Sequence, residues 1–249
     1  MHHFFVDSEQ IREREICITG SDVNHIRNVL RICPGEQISV SDKDAVTYRC
    51  EVTQVGEEAV TAKILWSQEA DTELPSKIVL FQGLPKADKM ELIIQKAVEL
   101  GVSEIVPMAT KRAVVKLDAK KVQTKLGRWN AIAESAAKQA KRAVIPPVKP
   151  VMPFEEAVNY AKTFDQKFIP YELARGMDAT RQAFGAICSG ESIAILIGPE
   201  GGFDEQEVRL AQEAGALPVT LGRRILRTET AGMTVLSILM YLLEKDQNK

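Results

Sequence analysis

Ile197-Gly198-Pro199-Glu200-Gly201-Gly202-Phe203 and Leu221-Gly222-Arg223-Arg224-Ile225-Leu226-Arg227-Thr228-Glu229-Thr230-Ala231 bound the stretch whose reading decides the fold. At each end a short apolar run breaks at glycine into a polar loop and then a helix. Ser192–Ile197 is apolar and β-branched, the pattern of a central strand. Gly198, Gly201 and Gly202 permit backbone conformations closed to other residues and let a ligand approach the main chain. The next helix is announced by Asp204 as N-cap, by Glu207 three residues on, and by Phe203 placed to staple against Val208. The pattern returns at Leu217–Leu221, with Gly222, a polar loop and an apolar helix to about Leu243. Two junctions of this kind form a site at the carboxyl ends of parallel strands, where open α/β sheets bind ligands.

The loop chemistry narrows the ligand. The Gly-Lys-Ser/Thr ending of a P-loop is absent, and the spacing is not G-x-G-x-x-G. Glu200 would repel phosphate, so the loop suits a ligand that is neutral or cationic near the glycines. As bare pattern, Gly-Pro-Glu-Gly-Gly is also an ordinary tight connection between strand and helix.

Outward from this stretch, strands alternate with helices from Lys77 onward, which predicts an α/β fold with a mostly parallel sheet and flanking helices. Ile78–Gln82, Glu104–Met108 and Lys167–Tyr171 read as strands. Asp88 and Glu91 form a capping pair for a helix with Met90, Ile93, Ile94, Ala97, Val98 and Leu100 on its apolar side, ended by Gly101. Asp118–Arg142 reads as one or two helices, with Trp129, Ile132, Ala133, Ala136 and Ala140 at helical spacing and Trp129 as a core residue. Another helix covers Phe154–Lys162. The strand ending at Tyr171 brings Glu172 to the same sheet edge as the glycine loops, a third wall of the pocket. The final helix, capped by Thr228 or Thr230, is apolar on several sides through Met233, Val235, Leu236, Ile238, Leu239, Met240 and Leu242. That pattern predicts burial, including burial in a dimer interface.

Residues 1–70 read differently, as a small β-rich module. Ser21 can cap a short helix, Asp22–Arg31, and Pro34-Gly35 marks a turn. Gln37–Asp42, Thr47–Val55 and Ala59–Trp66 alternate with the two-residue period of half-buried strands, which predicts a compact barrel. Arg27 and Arg31 fall one helical turn apart, where they either face one phosphate track or keep the helix soluble. His25 beside them reads as a packing or capping residue. Ser67–Ser76 is polar, acidic and proline-containing, an interdomain linker. The expected division is 1–70 and 71–249.

Composition sets further bounds. The 249 residues are 45 % hydrophobic and 27 % charged, ordinary values for a globular chain with a core. No apolar run approaches the ~20 residues of a membrane span, and the start lacks the basic-then-apolar layout of a secretory signal. Cys17, Cys33, Cys50 and Cys188 are scattered, without C-x-x-C spacing or a histidine pair. They read as buried thiols in a reducing, cytosolic compartment, with no metal site. The net charge of −2 conceals an asymmetry, because Lys111–Lys149 holds eleven bases against Asp118 and Glu134, a local +9. Such a segregated face favours a polyanionic partner, with nucleic acid first.

Gly198–Phe203, Leu221-Gly222 and Leu226–Ala231, in this order and at this separation, resemble the RsmE family of 16S ribosomal RNA uridine-N3 methyltransferases, members of the knotted SPOUT superfamily. The resemblance continues through His25–Arg31 and Lys89–Gly101, over the whole chain. It implies S-adenosylmethionine as methyl donor and uracil N3 as acceptor. It further implies 16S ribosomal RNA or the small ribosomal subunit as partner, a homodimer, a PUA-like RNA-binding barrel at the N-terminus, and a deep trefoil knot in the stretch quoted first. General rules of connection exclude knots, so only the resemblance supplies that expectation.

On this reading the donor is held by Glu172, Ile197, Gly198, Glu200, Gly201, Leu221, Gly222, Ile225, Leu226 and Thr228, with Ile225 and Leu226 as an apolar floor. Glu229 accepts the N3 proton if desolvation raises its pKa, or else is a helix-start charge favoured by the dipole. Arg227 stabilises negative charge developing on the flanking carbonyl oxygens. Arg27, Arg31, Arg112, Lys116, Lys121 and Arg142 are the RNA-binding candidates. One departure stands out: Lys138 occupies a place where the family pattern leads one to expect an acid before Gln139. A non-catalytic RNA-binding or ribosome-assembly protein on the same fold is the alternative, and donor binding discriminates the two.

Overall fold

The computed structural model describes residues 1–42, 45–113 and 119–244, which form two compact units. The first comprises 1–73 and 137–145, the second 74–136 and 146–249.

In the first unit β1 (His3–Phe5), β2 (Glu15–Thr19), β3 (Gln37–Ser41), β4 (Val46–Val55) and β5 (Ala59–Glu69) make one sheet in the order β1-β3-β4-β5-β2. β1 runs parallel to β3 and every other pair is antiparallel. The alternation of the sequence is the alternation of the faces: Ile16, Ile18, Ile38, Val40, Cys50, Val52, Val60 and Ala62 turn inward and pack with Phe4, Val6, Val23 and Ile26. Register shifts between Arg49 and Cys50 and between Val52 and Gln54 interrupt the β4–β5 ladder, and such bulges bend a ribbon around its core.

Several local expectations are corrected here. The expected helix at 22–31 is α1 (Ser21–Asn24) running into a π-helical stretch at His25–Leu30. Gly20, not Ser21, is its N-cap, at φ 77°, and Arg31 leaves the helix at φ 53°. The winding is wider than that of an α-helix over His25–Leu30, and Arg31 lies beyond it in the left-handed region. His25 is exposed. The strand β5 extends three residues into the expected linker, to Glu69. Of the cysteines only Cys50 is buried; Cys17 is half-buried, Cys33 and Cys188 are exposed, and all four are free thiols. The two exposed ones sit in turns, where Glu36 and Glu191 accept from their backbone amides.

Residues 137–145 complete the first unit and were not foreseen there. Lys138 Nζ donates to both carboxylate oxygens of Asp22, at 2.9 and 3.0 Å, which gives the lysine at that unexpected position a structural partner. Arg142, only 4 % exposed, is paired through its guanidinium with Glu73.

The second unit is a six-stranded parallel sheet built from β6 (Ile78–Gly83), β7 (Glu104–Ala109), β8 (Met152–Pro153), β9 (Gln166–Pro170), β10 (Ile193–Ile197) and β11 (Leu217–Val219). Its order is β11-β9-β10-β6-β7-β8, so the chain leaves one edge after β8, crosses to β9, and then inserts β10 between β9 and β6. The central strands β6 and β10 are buried on both faces, as their unbroken apolar runs require. The helices are α2 (Lys89–Glu99), α3 (Ala119–Ala140), α4 (Phe154–Ala161), α5 (Met177–Gly185), α6 (Glu205–Glu213) and α7 (Thr228–Leu243). On one face Phe81, Tyr160 and Phe164 meet edge to face with centroids 5.4–6.1 Å apart, within a core that includes Phe154, Phe203 and Val208. Trp129 is buried at 3 % exposure, as its spacing on α3 predicts.

α7 gives this unit its distinctive path. It follows β11 at the sheet edge yet packs against α2 and β10 in the middle. A Cβ on its Gly232 would lie 3.8–3.9 Å from Gln82, Ile197 and Leu80, so the helix rests directly on β6 and β10. This return to the centre is the path the expected knotted segment requires. Gly232, Val235, Leu236, Leu239 and Leu243 are buried, whereas Tyr241 is 82 % and Leu242 46 % exposed.

Candidate functional site

The parallel register brings the carboxyl ends of β11, β9, β10 and β6 to one edge of the sheet. β10 ends at Ile197 and the chain turns through Gly198–Gly202 into α6. The expected capping box forms: Asp204 accepts from the Gln206 amide at 3.1 Å, and Glu207 accepts from the Asp204 amide at 2.9 Å. β11 ends at Val219, and Leu221–Leu226 lead into α7. Glu172 follows β9 beside that loop, since the Tyr171 amide donates to the Val219 carbonyl at 3.1 Å; its side chain is exposed.

A buried clasp joins the two glycine loops. Thr228 Oγ1 donates to the Gly198 carbonyl at 2.6 Å and accepts from Gln82 Nε2 at 2.9 Å. Thr228 therefore does not cap α7; Arg227 is the N-cap residue and makes no side-chain capping bond. Gly83 lets the end of β6 approach the first loop, because a Cβ there would lie 2.7 Å from Pro199. Gln82 Oε1 is buried beside the clasp and has no hydrogen-bond partner among the described residues.

A second link is ionic. Lys89 Nζ lies 3.0 Å from Glu200 Oε1 and 3.4 Å from Glu229 Oε2, so one ammonium bridges a carboxylate of the first loop and one in the first turn of α7. The hydrogen bond to Glu200, aided by the charges of Glu200 and Glu229, holds Lys89 above the ordinary lysine range. Burial opposes the charge of Glu200. Hydrogen bonds from its own amide, from Lys89 and from the Lys86 amide outweigh that effect and hold its carboxyl below the ordinary range. Neither Lys89 nor Gln82 stood out in the sequence, where they lie more than a hundred residues from their partners.

The remaining site candidates fall as follows. Ile197 is 2 % exposed and closes the floor of the first loop. Gly201 accepts from Arg112 Nη1 at 3.2 Å, and Arg112 also lies 3.8 Å from Asp204. Leu221, Gly222 and Leu226 are half-buried, but Ile225 is 85 % exposed and forms no floor in this structure, because the loop turns its side chain to solvent. Arg223, Arg224 and Arg227 are exposed, and among the described residues none of them makes an ion pair. Lys116 and the side chain of Lys121 lie outside the described residues. Arg27 is exposed and pairs with Glu57 at 3.2 Å; Arg31 is exposed and makes no ion pair among the described residues. Burial of Arg142 against Glu73 removes its charge from any RNA-facing surface, a correction to its place among the candidates.

The site fits S-adenosylmethionine. Gly222 has φ 113°, and a Cβ built on it would meet nothing within 4 Å, so bare backbone faces open space. That opening adjoins a loop of exposed arginines, and Gln82 Oε1 is an unpartnered acceptor in the same edge of the sheet. Among the described residues no group of three or more His, Cys, Asp or Glu side chains could hold a metal ion, and no helix is long and apolar enough to cross a membrane.

Comparison with known proteins agrees with this geometry. The RNA methyltransferase domain family matches residues 72–240, and the RNA methyltransferase PUA domain family matches residues 18–65. Ribosomal RNA small subunit methyltransferase E of Bacillus subtilis (strain 168) is 40 % identical over 258 residues, covering 99 % of this chain and 100 % of its own. The protein of the same name from Mesomycoplasma hyopneumoniae (strain 232) is 33 % identical, covering 95 % of this chain and 98 % of its own. The crystal structure of a ribosomal RNA small subunit methyltransferase E from Neisseria gonorrhoeae, bound to S-adenosyl methionine, matches with a TM-score of 0.86 at 32 % identity. It covers 97 % of this chain and 98 % of that one.

Proposed function

The chain belongs to the RsmE family of ribosomal RNA small-subunit methyltransferases, and on that premise we propose that it methylates N3 of a uridine in 16S ribosomal RNA, with S-adenosylmethionine as donor. The observation that carries the reading is the open backbone at Gly222, set beside a first loop that the Thr228 clasp holds in place. When bound, S-adenosylmethionine supplies an electrophilic methyl whose bonding pair stays with sulfur.

The chain's own residues have three tasks. Main-chain groups of Ile197–Gly201 and Leu221–Leu226, with Thr228 fixing the first loop, hold the donor in line with the acceptor; such orientation can contribute ~7–11 kcal/mol in favourable cases. Glu229 takes the N3 proton, and Arg227 stabilises the charge that develops on the uracil oxygens. Arg223 and Arg224, exposed and unpaired beside Gly222, meet the RNA phosphates that flank the target base. Arg27, Arg31 and Arg112 are further phosphate contacts within their own units. The substrate is the 16S ribosomal RNA or the small subunit, and the free thiols suit work in the cytoplasm. A homodimer belongs to the same reading, supported by the apolar Tyr241 and Leu242 exposed on α7.

Isothermal titration with S-adenosylmethionine tests it. The wild-type protein should bind the donor, and Gly222→Val should weaken binding about 100-fold, because a branched residue is strained at positive φ and fills the opening. Failure of the wild type to bind, even with RNA present, would overturn the enzyme reading in favour of a non-catalytic RNA-binding protein.

A further inference from the structure

The geometry points to Lys89 as the positioning residue for Glu229: it holds one carboxylate oxygen and leaves the other free for the uridine N3 proton. The inference rests on Glu229 as the base and adds what aims it.

Lys89 is the first residue of α2, where the positive end of the helix dipole disfavours a lysine. A cation placed there needs carboxylate partners, and it has two, one from the first loop and one from the first turn of α7. Glu200 is its anchor, at 3.0 Å, and Glu200 is itself fixed by the Lys86 amide, which donates to its two oxygens at 3.1 and 3.3 Å. The ammonium is thus held on one side before it meets Glu229 on the other. At Glu229 the two oxygens differ. Oε2, the one 3.4 Å from Lys89, is buried and has no other polar partner among the described residues; the side chain as a whole is 14 % exposed. Oε1 has no ion pair or hydrogen bond among the described residues, so it is the oxygen left to receive a proton.

The sequence Lys86 amide, Glu200, Lys89, Glu229 therefore runs from the first loop to the first turn of α7. It repeats a general arrangement in which a base is oriented by a third group. In the step itself the N3–H proton passes to Glu229 Oε1 while the N3 electron pair becomes available for the new carbon–nitrogen bond. The ammonium beside Oε2 fixes the orientation of the carboxylate beforehand.

The test is a double-mutant cycle on the full-length protein, read as single-turnover methylation of 16S ribosomal RNA with saturating S-adenosylmethionine. Lys89→Met should slow the reaction about 10-fold, a fraction of what a general base contributes. Donor affinity should stay within about twofold, because the Lys86 amide still holds Glu200. In the Glu229→Gln background Lys89→Met should cost nothing further, and Lys89→Arg should restore most of the rate. Losses that multiply in the double variant would overturn the inference, since Lys89 would then act apart from Glu229. A parallel fall in donor affinity would overturn it too, by making Lys89 a brace of the first loop alone. Glu229→Gln slow but Lys89→Met at full speed refutes only the role of Lys89. A Glu229→Gln enzyme at full speed refutes the base reading beneath it.

Discussion

In residues 111–149 most described bases face an acid or polar group brought from elsewhere in their own unit. Lys111 meets Asp204 and Gln206, Arg128 meets Glu91 at 2.7 Å, and Lys149 lies 3.7 Å from Glu104. Lys138 meets Asp22 and Arg142 meets Glu73. In residues 223–227 three arginines occur within five positions, all exposed and none in an ion pair among the described residues. Counted along the sequence, the long stretch looks like the RNA-facing surface and the short loop like a detail. In three dimensions much of the long stretch is neutralised locally, while the short loop keeps its charge beside the site. Charge segregated in sequence is not charge segregated in space, because the folded chain supplies counter-ions from distant segments.

The comparison can be broken most forcefully at Arg142. If its role is internal, Arg142→Ala should cost about 3 kcal/mol of stability, since it leaves Glu73 without its buried partner. The loss is read as a lower denaturant midpoint at unchanged slope, and RNA affinity of the folded protein should not move. A stable variant with weakened RNA binding would return Arg142 to the interface.

Next in size is the arginine loop. Arg223→Ala with Arg224→Ala should weaken RNA binding about tenfold and make the salt dependence shallower by about 1.5 in log–log slope, as two phosphate contacts disappear. The matching pair of changes in the basic stretch, Arg128→Ala with Lys149→Ala, should leave the slope unaltered and cost no more than about 1 kcal/mol of stability, the usual scale for exposed ion pairs. Equal effects of the two double variants on the salt slope would erase the distinction between the regions.

What the sequence made legible was local. The Asp204–Glu207 capping box, the glycine loops, the positive φ of Gly101 after α2 and the burial of Trp129 each depend on residues within a few positions of one another. The alternation of β3, β4 and β5 was readable for the same reason. Two classes of feature were not. Short elements escaped: β1, β2, the two-residue β8, and α5, whose Met177–Gly185 buries only Thr180 and Phe184. So did the π-helical winding at His25–Leu30, which no spacing announces. Contacts set by topology also escaped. Gln82 meets Thr228 across 146 positions; Lys89 meets Glu200 because β10 pairs with β6, and meets Glu229 because α7 returns from the sheet edge to lie against α2. The helix-start reading of Glu229 and the base reading were equally open in sequence; the ion pair with Lys89 is what separates its two oxygens.

The central claim is the transfer of a methyl group to uridine N3, and nucleoside analysis addresses it most directly. Small ribosomal subunits from a strain lacking this protein are incubated with the purified protein and isotope-labelled S-adenosylmethionine, then digested and resolved by mass spectrometry. Labelled 3-methyluridine at a single position, absent with Gly222→Val, is the predicted result. Label in another nucleoside, or none despite measured donor binding, would contradict the account.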